Sequence, residues 1–188
     1  DLGRLIDVIA GCTVEIAAMV RVDKGEKVSG QNVFGEQQVV MDVAADRFVY
    51  EKLKASGLVA VVASEEMDDE EKFEGGRFGV AHDPLDGSSL IDVNLAVGSI
   101  FGVYETASFY GVSGREQVAA IVACYGPRLG LFVTVGKGTV YFIFDGESFV
   151  LQRDNLQIAE KAEMFAPGNL RACGEREDYL RLVNFWIK

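Results

Sequence analysis

Five short apolar segments between Ser99 and Leu151 constrain the fold of this chain more than any other feature. They span Ser99–Tyr104, Val118–Tyr125, Leu131–Val135, Val140–Phe144 and Ser148–Leu151, and glycine-containing turns at 111–114, 126–130, 136–138 and 145–146 separate them. Segments of this length, rich in β-branched and aromatic residues, read as strands. Connections this short favour antiparallel neighbours, because a parallel crossover needs about a dozen residues or more. Two further strands precede them. Leu58 to Ala63 is a valine-rich run of the kind found in buried strands, and Phe78 to His82 is a second short strand ending at Asp83.

Helical patterns flank this set. Leu5, Ile9, Cys12, Ile16 and Met19 recur at helical spacing within residues 1–20, and residues 21–35 read as a loop or short extended arm. A second helix is expected from Glu36 to Ser56, stopped by Gly57, with Val40, Val43, Ala44 and Phe48 as its apolar face. Residues 67–76 are acidic and read as a solvated loop. A last helix, Glu175 to Ile187, places Tyr179, Leu182, Val183 and Trp186 on one face. Helices, then a mostly antiparallel sheet, then a helix describe an α+β layered domain.

The formal net charge of −11 has no basic cluster to offset it, which argues against nucleic acid and anionic membranes as partners. An anionic substrate would then need a bound cation to neutralise the site locally. No apolar run approaches the length of a membrane span and no signal peptide is visible. Cys12, Cys124 and Cys173 are far apart in sequence, which points to a reducing cytoplasm and no zinc site. His82 is the only histidine, so neither a histidine metal centre nor a Ser-His-Asp triad is expected.

The acids are placed where chemistry can use them. Glu65-Glu66 follows one buried strand, and Asp83-Pro84-Leu85-Asp86-Gly87-Ser88-Ser89 follows another. Pro84 fixes its own φ and biases Asp83 towards an extended conformation, so a turn here can aim both aspartates and the Leu85 carbonyl at one point. Hard cations such as Mg²⁺ take such oxygen ligands. Gly87 allows close approach of a phosphate, and the amides of Gly87, Ser88 and Ser89 can donate to it. If the two strands are neighbours, Glu65, Glu66, Asp83 and Asp86 converge, and cations hold the cluster against its own repulsion. The plainer alternative is a capped turn with separate, solvated acids. Asp42, among Val39, Val40 and Val43, is a candidate to activate water; its alternative is a partner for Arg47.

With these residues in place the chain resembles the class I fructose-1,6-bisphosphatases and the related sedoheptulose-1,7-bisphosphatases. The resemblance rests on the segments already quoted and on Gly35-Glu36-Gln37-Gln38, Ile91-Asp92, Val97-Gly98-Ser99-Ile100-Phe101-Gly102, Gln117-Val118-Ala119-Ala120, Tyr125-Gly126-Pro127-Arg128 and Phe165-Ala166-Pro167-Gly168-Asn169-Leu170-Arg171. It implies the inositol monophosphatase-like layered fold, with a mostly antiparallel mixed sheet flanked by helices. It implies two or more Mg²⁺ ions, replaceable by Mn²⁺, on Glu65, Glu66, Asp83, Asp86 and the Leu85 carbonyl. Asp42 and Glu66 would be catalytic. Asp86, Gly87, Ser88 and Ser89 would bind the phosphate to be cleaved, with Asn169 near the distal one. The substrate would be fructose 1,6-bisphosphate or sedoheptulose 1,7-bisphosphate, and the protein a cytoplasmic homo-oligomer, dimer or tetramer. Residues 1–188 would form the N-terminal metal- and phosphate-binding domain, the family's C-terminal domain being absent from the sequence. Two other readings stay open: an inositol-phosphate or nucleotide phosphatase, and a folded but non-catalytic fragment.

Overall fold

The computed structural model describes residues 1–22, 27–31, 37–161 and 170–188. They form two compact units, Asp1–Leu156 and Gln157–Lys188.

The first unit opens with helix α1 (Leu2–Val20), the strands β1 (Lys27–Gln31) and β2 (Gln37–Val39), and helix α2 (Val40–Ser56). Eight strands then build one sheet: β3 (Val59–Ser64), β4 (Glu71–Lys72), β5 (Phe78–Asp86), β6 (Val97–Tyr104), β7 (Gln117–Tyr125), β8 (Leu129–Thr134), β9 (Val140–Phe144) and β10 (Phe149–Arg153). Their order is β10-β9-β8-β7-β6-β5-β3-β4. Every pairing is antiparallel except that of β3 with β5, which is parallel. The mixed, mostly antiparallel sheet expected from the short turns is therefore present, and each of the five segments from Ser99 onward supplies a strand.

Three local expectations change. Residues 37–39 do not start α2 but pair with β1, Gln37 opposite Gln31 and Val39 opposite Lys27, so strand pairing overrides the helix propensity of the two glutamines. The acidic loop contains β4, which adds Glu71 and Lys72 to the edge beside Val62 and Val61. In the second unit the last helix is two pieces, α3 (Ala172–Glu175) and α4 (Glu177–Ile187), divided at Arg176 by an extended backbone (φ −130°, ψ 107°). Of the face expected on α4, Val183 is buried, while Leu182 and Trp186 are exposed.

One side of the sheet carries the core. Val97, Ser99, Phe101 and Val103 of β6 and Ala119, Ile121, Ala123 and Tyr125 of β7 alternate onto it, while Ile100 and Val122 on the opposite face are exposed. Helix α1 packs against β7 and β8, and α2 against β3 and β5. The α1 stripe is Leu5, Ile9, Cys12 and Ile16, as its spacing predicts. The α2 stripe is not the expected one: Met41, Ala45, Val49 and Leu53 are buried, whereas Val40 is 42% and Val43 44% exposed. Both series recur every four residues, but Val40-Ala44-Phe48 runs into Lys52, and Met41-Ala45-Val49 continues to Leu53. Phe48 instead lies half-buried, with the Lys52 ammonium 5.2 Å from its ring centre.

Gly76 makes a sharp prediction about this packing. Its φ is +81°, and a Cβ there would stand 2.4 Å from the backbone carbon of Val59. No rotamer relieves a clash with backbone, and left-handed backbone itself costs an L-residue about 1–2 kcal/mol. Gly76→Ala should therefore destabilise the protein by at least about 2 kcal/mol in urea unfolding. A loss below about 0.5 kcal/mol would mean that the loop simply moves aside.

Candidate active site

Because β3 and β5 are adjacent and parallel, with Ser64 opposite His82, the residue after each of these stands beside the other, one just past the end of β3 and one within β5. Those residues are Glu65 and Asp83. The Glu65 amide donates to the His82 carbonyl at 3.1 Å, and the Glu65 and Asp83 carboxyl groups share a hydrogen bond. Burial first, then that bond and the Glu65 charge, with a smaller push from Asp86, raise the Asp83 pKa to about 7. The Asp83 carboxylate also accepts from the Leu85 amide at 2.9 Å. A cavity of about 380 Å³ opens beside the pair, lined in part by Ser64, Glu65, Asp83, Ile100 and Gln117.

The aspartate-proline segment is not the free turn that the sequence suggests. It extends β5 as far as Asp86. Asp83 stands opposite Ile100 and Asp86 opposite Gly98, so three steps on β5 face two on β6, which is a one-residue bulge. Pro84, which has no N–H to give a ladder, sits inside that bulge, one of the few places in a sheet that tolerate proline. The turn comes one residue later, at Gly87 (φ 80°, ψ 24°). A Cβ there would touch only Leu90 and Val97 at 3.6 and 3.8 Å, so backbone conformation rather than space demands glycine. Gly87 caps a short 3₁₀ helix, Ser88–Val93, that opens with both serines.

Asp42 lies in the first turn of α2, only 5% exposed, and its Oδ2 accepts from Ser88 Oγ at 3.1 Å. The hydroxyl of Ser88 is thus a hydrogen-bond donor to it. A helix N-terminus favours a carboxylate, which offsets part of the cost of its burial. The four-acid convergence expected from sequence is only partly formed. Glu65 and Asp83 meet, Asp86 is exposed further along the bulged strand, and Glu66 is half-buried, its amide donating to Ser64 Oγ at 3.2 Å. Ser89 is exposed, Leu85 is buried, and Asn169 lies outside the described residues.

Among the described residues, no three His, Cys, Asp or Glu side chains are grouped as the ligands of one metal ion. The donors still fit a hard divalent cation in kind. They are all oxygens, and the repulsion between Glu65, Asp83 and Asp86 is what a cation would relieve.

His82 has a role that the sequence does not disclose. Its buried Nε2 is 3.1 Å from Asp46 Oδ1, and its ring stacks on Phe101 with centroids 5.8 Å apart. Asp46 follows Asp42 by one turn of α2, so the pair ties that helix to the strand carrying Asp83. The signal was the four-residue spacing of the two aspartates, combined with the alternation of Phe78, Val80 and His82 towards the core.

The sequence profile described as "Fructose-1-6-bisphosphatase, N-terminal domain" matches residues 5–153, which is nearly the whole first unit. The chain belongs to the fructose-1,6-bisphosphatase family. A class 1 fructose-1,6-bisphosphatase from Geobacter metallireducens is 40% identical over 175 residues, covering 91% of this chain and 55% of the relative. The chloroplastic sedoheptulose-1,7-bisphosphatase of Triticum aestivum is 38% identical over 194 residues, covering 100% of this chain and 49% of the relative. A crystal structure from Toxoplasma gondii, assigned as a sedoheptulose-1,7 bisphosphatase, superposes with a TM-score of 0.86 at 31% identity, covering 99% of this chain and 64% of the other. Fold and sequence thus place the chain in one family with both sugar bisphosphatases, and the chain spans about half the length of the curated relatives it matches. No helix among the described residues is long and apolar enough to cross a membrane.

Proposed function

We propose that the protein is a Mg²⁺-dependent phosphatase that removes the 1-phosphate of fructose 1,6-bisphosphate, and also acts on sedoheptulose 1,7-bisphosphate. The observation that carries this reading is the meeting of Glu65, just past the end of β3, with Asp83 on the adjacent parallel strand β5, in a chain of this family. Glu65, Glu66, Asp83, Asp86 and the Leu85 carbonyl would hold two or more Mg²⁺ ions, with Mn²⁺ as a substitute. Such ions lower the pKa of bound water and shield phosphoryl oxygens. The protein's own groups do the rest. Asp42, hydrogen-bonded to Ser88, accepts a proton from the attacking water, with Glu66 helping to hold that water. Asp86 and the Gly87, Ser88 and Ser89 segment orient the phosphate, and Asn169 would bind the distal one. Residues 1–188 supply the metal- and phosphate-binding domain of a longer subunit, in line with the lengths of the relatives. The subunit works in the cytoplasm as a homo-oligomer, a dimer or tetramer.

The test is phosphate release from fructose 1,6-bisphosphate, sedoheptulose 1,7-bisphosphate, inositol 1-phosphate and adenosine 3′,5′-bisphosphate, each with MgCl₂. The two sugar bisphosphates should be the preferred substrates. Faster release from the inositol or nucleotide ester, or none from either sugar, overturns the reading.

A further inference from the structure

The bulge between Asp83 and Asp86 is held from behind. Ser99 Oγ, on β6, donates to the Pro84 carbonyl at 2.6 Å and lies 2.6 Å from the Tyr125 hydroxyl, at the end of β7. A serine hydroxyl has a single hydrogen, and here it is committed to Pro84. Tyr125 must therefore donate to Ser99, and the three groups form a relay running Tyr125 to Ser99 to Pro84. Burial holds the Tyr125 pKa well above its ordinary value, so the phenol stays a donor. Ser99 is fully buried and Tyr125 nearly so, which keeps water from substituting for either bond. A bulge deprives a backbone group of its ladder partner. The relay supplies one to the peptide that sets the separation of Asp83 from Asp86.

We propose that Ser99, held by Tyr125, is a positioning residue for the cation site, locking the β5 bulge so that Asp83 and Asp86 face one ion. The proposal rests on the metal-dependent reading above. Neither residue would touch ion or substrate; both act through the Pro84 carbonyl.

The experiment uses the intact protein and two readouts, Mg²⁺ affinity by calorimetry and amide hydrogen exchange over residues 85–87. Ser99→Ala should weaken Mg²⁺ binding about tenfold, the effect of losing about 1.4 kcal/mol, and speed exchange at 85–87 while leaving α1 unchanged. Ser99→Thr keeps the hydroxyl and should restore both. Tyr125→Phe removes only the outer bond and should fall between. A Ser99→Ala protein that melts lower but keeps wild-type Mg²⁺ affinity and exchange would overturn the proposal. If Ser99→Ala does not fold, Tyr125→Phe decides: wild-type values for both readouts overturn it equally. A wild-type protein that takes up no Mg²⁺ refutes the functional reading itself, a result distinct from wild-type uptake unaffected by the variants.

Discussion

Phosphate release should be abolished by excess EDTA, and Asp83→Asn should lower kcat/KM by at least about 10²-fold. The reason is visible without substrate. Glu65 and Asp83 share a hydrogen bond beside the end of β3, with Asp86 close enough to add repulsion. Without a cation this arrangement opposes folding, since it crowds negative charge into a half-buried space. Asparagine has the same shape, keeps a donor for Glu65, and removes one charge. It should therefore have opposite effects on two measurable quantities. The metal-free Asp83→Asn protein should melt at or above the wild-type temperature. The rise in melting temperature on adding MgCl₂ should shrink, because a ligand at 100 times its Kd stabilises by about 2.7 kcal/mol and the weaker site loses much of that. Thermal melts in EDTA and in MgCl₂, alongside turnover, test both halves. Unchanged turnover with an undiminished Mg²⁺ shift would remove Asp83 from the metal site.

The contrast between what the sequence discloses and what it hides has a physical basis. Strands β6 to β10 follow from apolar runs and tight turns, which are local signals. The neighbour relation of β3 and β5 is not local. The sequence could only make the convergence of Glu65 and Asp83 conditional on it, and the parallel pairing with Ser64 opposite His82 supplies the condition. The bulge is hidden for a related reason. Asp83-Pro84-Leu85-Asp86 has strong turn chemistry, yet β6 offers a partner on the far side, and pairing draws the segment into the strand as far as Asp86. Asp42 is buried, though not by the valines around it in sequence. Val40 and Val43 do not face the core; Met41 and Ala45 do, and Asp42 is buried beside them. Ser99 carried no signal of its own beyond its place in a motif shared with the family. A serine in an apolar strand is usually read as tolerated, and only the carbonyl left over by the bulge gives it a partner.

Asp42→Asn should lower kcat by about 10²–10⁴-fold, the range in which a positioned general base contributes, while Mg²⁺ affinity stays near the wild-type value. Asp42 is on α2, whereas the proposed ligands follow β3 or lie on β5, so the substitution takes a proton acceptor from the water without taking a ligand from the ion. The amide oxygen of asparagine can still accept from Ser88 Oγ, which keeps the short helix at Ser88 in place. Stability should not fall with activity. A carboxylate only 5% exposed carries a desolvation cost that a neutral amide avoids, so the variant should unfold at equal or higher urea concentration. Lower turnover with undiminished stability is the pattern of a group retained for chemistry rather than for folding. Asp42→Ala separates the two contributions further, because it also removes the acceptor for Ser88 and should add a KM effect through the phosphate-binding segment. A purified Asp42→Asn protein within about threefold of wild-type kcat would show that the proton goes elsewhere, leaving Glu66 as the group to examine.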